Sequence, residues 1–203
     1  SGKLWFITSA GIETLEPQPF QFESVNLNGI AVNSVAEDNE GMIWLGCGNK
    51  LLTSFNIKEK IFNRYKLNGK NSDEFSATIS PANQNIYGIH DFDAYEFIKN
   101  SKSFLKIASL KDLINPQNRG FGWNELYCTK DGSVFVNIET KGIAKLNPQT
   151  GKINYIVPID SINGSHDSGD YPYFDDDKQN FYLVSTKQII QINYVTNSYK
   201  LFD

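Results

Sequence analysis

Short apolar stretches separated by polar turns rich in Asn, Asp and Gly follow one another along almost the whole chain. The segment EDNEGMIWLGCGNK, residues 37–50, shows this unit most clearly. A polar turn from Asp38 to Gly41 precedes a short apolar strand that carries Trp44, and a second turn is expected from Gly46 to Asn49. Two strands joined by such turns predict a β-hairpin, because glycine supplies the positive φ that hairpin turns need.

One aromatic residue recurs inside a strand of each unit. The aligned positions are Trp5, Trp44, Tyr87, Phe135 and Tyr182, separated by steps of 39, 43, 48 and 47 residues. Repeats of roughly 40 to 50 residues filled with short strands are typical of β-propeller blades. The pattern therefore predicts an all-β propeller in which these five side chains occupy equivalent positions. Trp5 and Trp44 are expected to lie in the core between blades.

We interpret the chain as a single, partial β-propeller domain of about five four-stranded blades over residues 1–203. The expected blades cover approximately residues 1–25, 32–67, 76–107, 126–157 and 173–203. The first blade lacks its inner strand, and no strand remains after Phe202 to complete it. We therefore expect a fragment of a larger propeller, with an edge that is open or covered by a neighbouring chain. A small five-bladed ring that tolerates the missing strand is the alternative.

Charge and the cysteines narrow the function classes. A net charge of −4 and a pI near 5.2 argue against nucleic acid as a partner, because nucleic acid requires a basic face. No apolar run approaches the roughly 18 residues of a membrane helix, so we expect no direct membrane insertion by this segment.

The chain opens at Ser1 on a strand, which we interpret as an excised domain without a signal peptide. Cys47 and Cys128 are expected to pack as small hydrophobic residues rather than to build a disulfide framework.

Two segments resemble a known repeat family. EDNEGMIWLGCGNKLLTSFN, residues 37–56, resembles the two-component-regulator propeller repeat, whose blades contain an acidic turn, Gly, an apolar strand with Trp, and then Gly-Thr and Gly-Leu. GKLWFITSAGIETL, residues 2–15, fits the same repeat from its first Gly, and residues 130–147 fit it loosely, with Phe135 in the Trp position. Cys47 replaces the usual Thr, Asn49-Lys50-Leu51 replaces Gly-Leu, and the third and fifth blades lack both the Trp and the second Gly.

The resemblance implies a sensor ectodomain. Propellers of this family occur in the periplasmic sensor regions of hybrid two-component histidine kinases of Bacteroidetes, where they respond to glycan fragments. The resemblance thus implies a periplasmic domain that is not itself an enzyme and that binds an oligosaccharide or another small ligand. Neighbouring propeller or ectodomain segments of the same parent, or a second copy in a homodimer, are the expected protein partners. The repeat motif is structural and supplies no ligand-binding residue.

The candidate ligand-binding residues lie in the two longest connections, Ala108 to Glu125 and Ile159 to Pro172. Both join one blade to the next, so both are expected on the same face, on adjacent blades. Connections longer than about 12 residues are uncommon unless they are functional or disordered. Aromatic, amide and charged side chains suit sugar recognition. The expected ligand-binding residues are Arg119, Trp123, Asn124, His166, Asp167, Asp170 and Tyr171. The alternative is that Trp123 and Tyr171 only pin the long loops to the blades.

No reactive or metal-binding constellation is evident, and we expect no catalytic residue, metal or cofactor. Asp175-Asp176-Asp177 has the carboxylates of a calcium cluster, but its position in a turn equivalent to residues 38–41 favours a solvated turn. The only histidines, His90 and His166, are too few for a three-His zinc site.

Two alternative functions stay open. The first is a propeller enzyme that acts on polysaccharide as a lyase or glycosidase. It would use carboxylates such as Asp91, Asp167 or Asp170, whose convergence on one bond the sequence does not show. The second is a scaffold that only binds another protein.

Overall fold

The structure is a computed structural model that describes residues 4–8, 11–15, 22–27, 29–48, 51–67, 75–90, 92–111, 113, 125–138, 142–158, 171–175, 177–184 and 189–202. Within these ranges every regular element is a β-strand, which confirms the all-β prediction. None of the described residues belongs to a helix long and apolar enough to cross a membrane.

The strands form five sheets, which we call blades 1 to 5. Blade 1 contains β1 (Leu4–Thr8), β2 (Gly11–Leu15) and β3 (Phe22–Val25). Blade 2 contains β4 (Val32–Glu37), β5 (Met42–Cys47), β6 (Leu51–Asn56) and β7 (Ile61–Lys66). Blade 3 contains β8 (Ser76–Ile79), β9 (Ile86–His90), β10 (Asp93–Ile98) and β11 (Ser103–Ser109). Blade 4 contains β12 (Glu125–Cys128), β13 (Val134–Ile138), β14 (Gly142–Leu146) and β15 (Ile153–Pro158). Blade 5 contains β16 (Tyr171–Asp175), β17 (Asn180–Val184), β18 (Ile189–Asn193) and β19 (Ser198–Phe202).

Within every blade, strands that are consecutive in sequence pair antiparallel, so each blade is a simple meander. The first strands of blades 2, 3 and 4 lie on the inside of the array. There β8 lies against β4 and β5 of the preceding blade, and β12 lies against β8 and β9. The blades therefore follow one another face to face in the order of the sequence.

Apolar side chains from both faces of the second strands of blades 2, 3 and 4 hold neighbouring blades together. In β5, Ile43, Leu45 and Cys47 pack toward blade 1, while Trp44 packs toward blade 3. This division follows from the period-two alternation of a strand. Because β5 is covered on both faces, it reads as a nearly continuous apolar run.

The five recurrent aromatic residues occupy equivalent positions, as predicted. Trp5 packs into the core between blades 1 and 2, and Trp44 into the core between blades 2 and 3. Tyr87 faces blade 4, and Phe135 faces blade 5. Each of these four rings thus points from its own blade toward the next one. Tyr182 has the same place in β17 of blade 5.

Gly46 does not lie in a turn, contrary to the sequence-based prediction. It belongs to β5, where a Cβ atom would lie 2.4 Å from Ser34 Oγ, 2.5 Å from the Phe75 carbonyl oxygen and 2.8 Å from the Ala77 nitrogen. A glycine inside a strand commonly marks a close approach of another backbone. Gly46 is therefore required because blade 3 approaches β5 at this point.

Both cysteines are buried, as predicted, and neither is in a disulfide. Cys47 belongs to the core between blades 1 and 2, and Cys128 to the core between blades 3 and 4. Burial raises the pKa of the Cys128 thiol to about 12, and it also raises the pKa of the Cys47 thiol. Both side chains are therefore protonated packing residues at neutral pH.

Candidate functional site

The blades have two ends that differ in their connections. At the turn end of blades 2 to 5, tight turns join the first strand to the second and the third to the fourth. Turns of neighbouring blades touch here: the Asn39 backbone N–H donates to Gln84 Oε1 at 2.8 Å, and Lys130 pairs with Asp177 across blades 4 and 5. The opposite end, which we call the loop end, carries the connections from each blade to the next. A ligand-binding site built from those connections would therefore lie at the loop end.

Six of the seven predicted ligand-binding residues lie outside the described residues: Arg119, Trp123, Asn124, His166, Asp167 and Asp170. The structure therefore neither brings them together nor separates them. Trp123 and Asn124 directly precede Glu125, with which β12 begins at the loop end of blade 4.

Tyr171 was predicted in a connection, but its backbone opens β16 and pairs with Val184. The following residue, Pro172, disfavours the helical region for Tyr171 and favours an extended backbone, which suits a strand. The sequence predicted that the first strand of this blade begins at Tyr173, whereas the strand begins two residues earlier, at Tyr171. The Tyr171 side chain lies outside the described set.

A carboxylate and a phenol are joined at the loop end of blade 4, in a pair that the sequence did not single out. The Tyr127 hydroxyl donates a hydrogen bond to Glu125 Oε2. The Tyr127 ring packs against Phe174 and Phe181 of blade 5, with ring centroids 5.7 and 5.4 Å away. Blade 5 thus fixes Tyr127, and Tyr127 in turn holds the half-buried carboxylate of Glu125.

The same pair perturbs the ionisation of the phenol. Burial raises the pKa of Tyr127 well above its usual range, and the hydrogen bond and charge of Glu125 raise it further. Tyr127 is therefore a neutral donor, and Glu125 keeps its second oxygen as an acceptor. Glu and Tyr at positions i and i+2 at the start of a strand share one face, which is the one sequence signal that could have revealed this pair.

Asn33 supplies a second polar group on an inner strand. It sits in a β-bulge, because the pairing of β4 with β5 shifts register between Val32 and Ser34. Its side-chain Nδ2 is buried and has no hydrogen-bond partner in the part of the chain that the structure describes. An amide donor buried in this way is unusual. Bulges often re-aim a side chain next to a functional site, yet no sequence pattern marks this one.

His90 and Asp93 face each other across the loop-end hairpin of blade 3. His90 is buried, and the Asp93 carboxylate pairs with Lys106 Nζ at 2.8 Å. Burial alone would raise the pKa of Asp93, but hydrogen bonds from Lys106 and Ser109 lower it below its usual value. The Asp93 carboxylate is therefore paired with Lys106 and ionised at neutral pH, while its Oδ1 is buried without a hydrogen-bond partner among the described residues.

The acidic turns at the turn end are occupied by structural contacts. Asp177 pairs with Lys130, and Asp175 accepts a hydrogen bond from the Lys178 backbone N–H at 3.2 Å. Asp176 lies outside the described residues. Across the described ranges, no three His, Cys, Asp or Glu side chains are grouped so that they could hold a metal ion.

No protein-family model matches the chain, and no curated protein matches it in sequence. Solved structures nevertheless share its fold. The chain is similar to the extracellular domain of a putative hybrid two-component system from B. thetaiotaomicron, with a TM-score of 0.73 and 15% identity over 99% of this chain and 28% of that one. It is also similar to a virginiamycin B lyase from Staphylococcus aureus, with a TM-score of 0.70 and 14% identity over 100% of this chain and 66% of that one. A streptogramin B lyase gives a TM-score of 0.68 and 15% identity over 100% of this chain and 65% of that one.

At these identities the likeness shows the fold alone, and it confirms the β-propeller prediction. The chain spans slightly less than two thirds of the two lyase chains and 28% of the two-component ectodomain. A fragment of a larger propeller fits this partial coverage. The same fold is thus found both in the extracellular domain of a two-component system and in lyases, and this chain is a β-propeller.

Proposed function

We propose that the chain is the extracytoplasmic ligand-sensing propeller of a two-component receptor and that it binds an oligosaccharide at the loop end of blades 4 and 5. The observation that carries this proposal is that both long connections lead into adjacent inner strands. β12 begins at Glu125 and β16 at Tyr171, and the Tyr127 and Phe174 rings of these strands lie 5.7 Å apart. The last residues of the two connections therefore enter neighbouring strands at the same end.

The chemistry at this place suits a sugar. A carboxylate such as Glu125, held by Tyr127, accepts hydrogen bonds from hydroxyl groups, and its position is fixed before the ligand arrives. An indole such as that of Trp123 offers an apolar face on which a sugar ring stacks. Sites that combine a few fixed polar groups with aromatic surface are typical of small-ligand pockets. The Glu125 carboxylate and the Trp123 indole, two residues before it in the sequence, together support a sugar as the ligand class.

The signalling role rests on the repeat. The acidic turn and Trp44 of blade 2 resemble the two-component-regulator propeller repeat, and the fold is shared with a two-component ectodomain. In this proposal the domain is periplasmic, does not itself catalyse a reaction, and passes its ligand-bound state to a histidine kinase of the parent receptor. Because sensing needs only binding, we expect the domain to release its oligosaccharide unchanged.

A thermal-shift screen of the full chain against a panel of oligosaccharides tests the proposal. A binding sugar should raise the melting temperature of the wild type, and both Glu125→Gln and Trp123→Ala should weaken its affinity at least about tenfold. Glu40→Gln, an exposed change at the turn end, is the matched control and should leave affinity unchanged. Each variant is first compared with the wild type without ligand to establish that it is folded.

Two results would contradict the proposal. If no sugar stabilises the chain, or if both loop-end variants bind as tightly as the wild type, the sugar site is not at blades 4 and 5. If a sugar that binds is also cleaved, as a product assay on each hit would reveal, the chain is a propeller enzyme and not a sensor.

A further inference from the structure

Glu125 occupies a position in the first strand of blade 4 that corresponds to Ser34 in blade 2. Ser34 pairs with Gly46 and Glu125 pairs with Asn137, and each partner lies two residues after the recurrent aromatic residue of its strand. The Ser34 hydroxyl accepts a hydrogen bond of 2.7 Å from the Ala77 backbone N–H in the first strand of blade 3. An acceptor at this loop-end position can therefore bond to the backbone of the next blade.

Blade 5 has no backbone donor for Glu125 at the corresponding point. Ala77 pairs with Gly88 in blade 3, and Pro172 pairs with Leu183 in blade 5. Gly88 and Leu183 each directly follow the recurrent aromatic residue of their strand, so Pro172 holds the place of Ala77. Proline carries no backbone N–H. The bond that joins blades 2 and 3 therefore cannot form between blades 4 and 5.

The Glu125 carboxylate also has no cation beside it among the described residues. It is half-buried, and its one described partner is the hydroxyl of Tyr127, which binds Oε2. By contrast, the Asp93 carboxylate at the loop end of blade 3 pairs with Lys106 Nζ at 2.8 Å. A carboxylate that is partly removed from water is stabilised by an opposite charge. Glu125 lacks such a charge in this part of the chain, and its Oε1 is available as an acceptor.

We propose that the oligosaccharide bound at the loop end of blades 4 and 5 is an amino sugar, whose protonated amine pairs with the Glu125 carboxylate. The inference rests on the proposed function, because it names the class of sugar that the same site takes. A protonated amine supplies both the N–H donor that Pro172 cannot provide and the positive charge that Tyr127 cannot provide. A sugar hydroxyl supplies only the donor. A charge-assisted hydrogen bond is roughly twice as strong as a neutral one, so the site prefers the amine.

The aromatic surroundings of the pair strengthen this preference. The Phe174 and Phe181 rings of blade 5 lie 5.7 and 5.4 Å from the Tyr127 ring. A hydrogen bond to a charged group is stronger beside apolar groups than in water. Tyr127 also holds Oε2, so little ordering of the Glu125 side chain is needed when a ligand binds. The pair is thus a preorganised acceptor for a cationic group.

Isothermal titration calorimetry of the full chain with paired sugars tests the proposal. Oligomers of glucosamine and of galactosamine are compared with their N-acetylated forms, at low salt and at a pH where the free amine is protonated. The wild type should bind one of the amine forms at least about tenfold more tightly than its N-acetylated form, and added salt should weaken only the amine complex. Glu125→Gln should remove this preference. Glu40→Gln, the matched change at the turn end, should keep it.

Pro172→Ala tests the role of the missing N–H. It restores a backbone donor beside Glu125 and should reduce the preference for the amine at least about threefold, because that donor competes for the carboxylate. Pro148→Ala, in the turn between the third and fourth strands of blade 4, is the matched control and should leave the preference unchanged. Circular dichroism of each variant without ligand establishes that it is folded.

The outcomes separate this inference from the proposed function. If a sugar binds at blades 4 and 5 but its amine form binds no more tightly than its neutral form, the inference is wrong and the proposed function stands. The same holds if the amine preference survives Glu125→Gln, since the charge that selects the amine would then lie elsewhere. An amine preference that Pro172→Ala leaves unchanged overturns the role of Pro172. A chain that binds no oligosaccharide of a wider panel contradicts the proposed function and this inference with it.

Discussion

The Trp44 indole nitrogen donates a hydrogen bond of 2.9 Å to Oδ2 of Asp38, six residues earlier in the same hairpin. The same carboxylate pairs at 3.0 Å with Lys99 of blade 3 and accepts a hydrogen bond from the Met42 backbone N–H at 3.0 Å. One buried carboxylate therefore closes its own turn, orients the aromatic residue of its blade and binds the neighbouring blade.

Replacing Asp38 with Ala is expected to destabilise the fold strongly. The change leaves the Trp44 N–H buried without an acceptor and removes the partner of Lys99. We expect a loss of about 2–4 kcal/mol in the free energy of unfolding, measured by urea denaturation. Glu40→Ala, an exposed change in the same turn, should stay within about 0.5 kcal/mol of the wild type. Equal effects of the two changes would refute the role of Asp38.

The charge of Asp38 predicts a pH dependence. Burial alone would raise its pKa, but hydrogen bonds from Trp44, Lys99 and the Met42 backbone lower the pKa below the usual 3.8. Because the folded-state pKa lies below the unfolded-state value, the carboxylate contributes stability that is fully present above that value. This stability is lost as the pH falls through the folded-state pKa.

The measurement compares the wild type with Asp38→Asn, so that other carboxylates with lowered pKa values, such as Asp131, are common to both. The difference in unfolding free energy should be constant from about pH 7 to about pH 5 and should shrink below the unfolded-state pKa. A difference that persists unchanged at about pH 2 would assign the effect to hydrogen-bond geometry and not to charge.

The sequence predicts the architecture because the architecture depends on a repeated local pattern. The aromatic residue of each unit and the alternation around it are sufficient to place Trp5, Trp44, Tyr87 and Phe135 between blades. Contacts between side chains distant in sequence are not encoded in that pattern. Glycine at position 46 therefore looks like a turn residue, although it accommodates the Phe75 backbone of the next blade.

The candidate site was less predictable than the fold, for a related reason. The topology places both long connections at one end of adjacent blades, but the sequence does not show which side chains meet. Glu125 was expected only as the end of a connection, and its bond to Tyr127 depends on the packing of Tyr127 against Phe174 in another blade. The bulge that buries the Asn33 amide has no sequence signature at all.

Replacing Gly46 with Ala should destabilise the contact between blades 2 and 3. Two of the three atoms that a Cβ would meet belong to the Phe75 and Ala77 backbone, which cannot rotate away. We expect a loss of about 2–3 kcal/mol, the upper range for overpacking. Gly29→Ala is the control: no atom lies within 4 Å of its Cβ position, but its φ is +77°. It should lose only about 1 kcal/mol, the cost of the left-handed backbone.

The two glycines separate steric from conformational effects, since each variant adds the same methyl group. A Gly46→Ala protein as stable as the wild type would mean that blade 3 does not approach β5 as closely as the structure shows. A larger loss for Gly29→Ala than for Gly46→Ala would lead to the same conclusion.

Tyr127 should stay neutral at pH values where an ordinary tyrosine ionises. Burial and the adjacent carboxylate of Glu125 hold its pKa well above the usual 10.0. In a spectrophotometric titration, Tyr127→Phe should therefore leave the amplitude of tyrosine ionisation between about pH 9 and about pH 11 unchanged. An amplitude that falls by one tyrosine would show that Tyr127 ionises normally. Glu125→Gln should lower the pKa of Tyr127 relative to the wild type, because it removes a negative charge beside the phenol and leaves the burial by Phe174 and Phe181 in place.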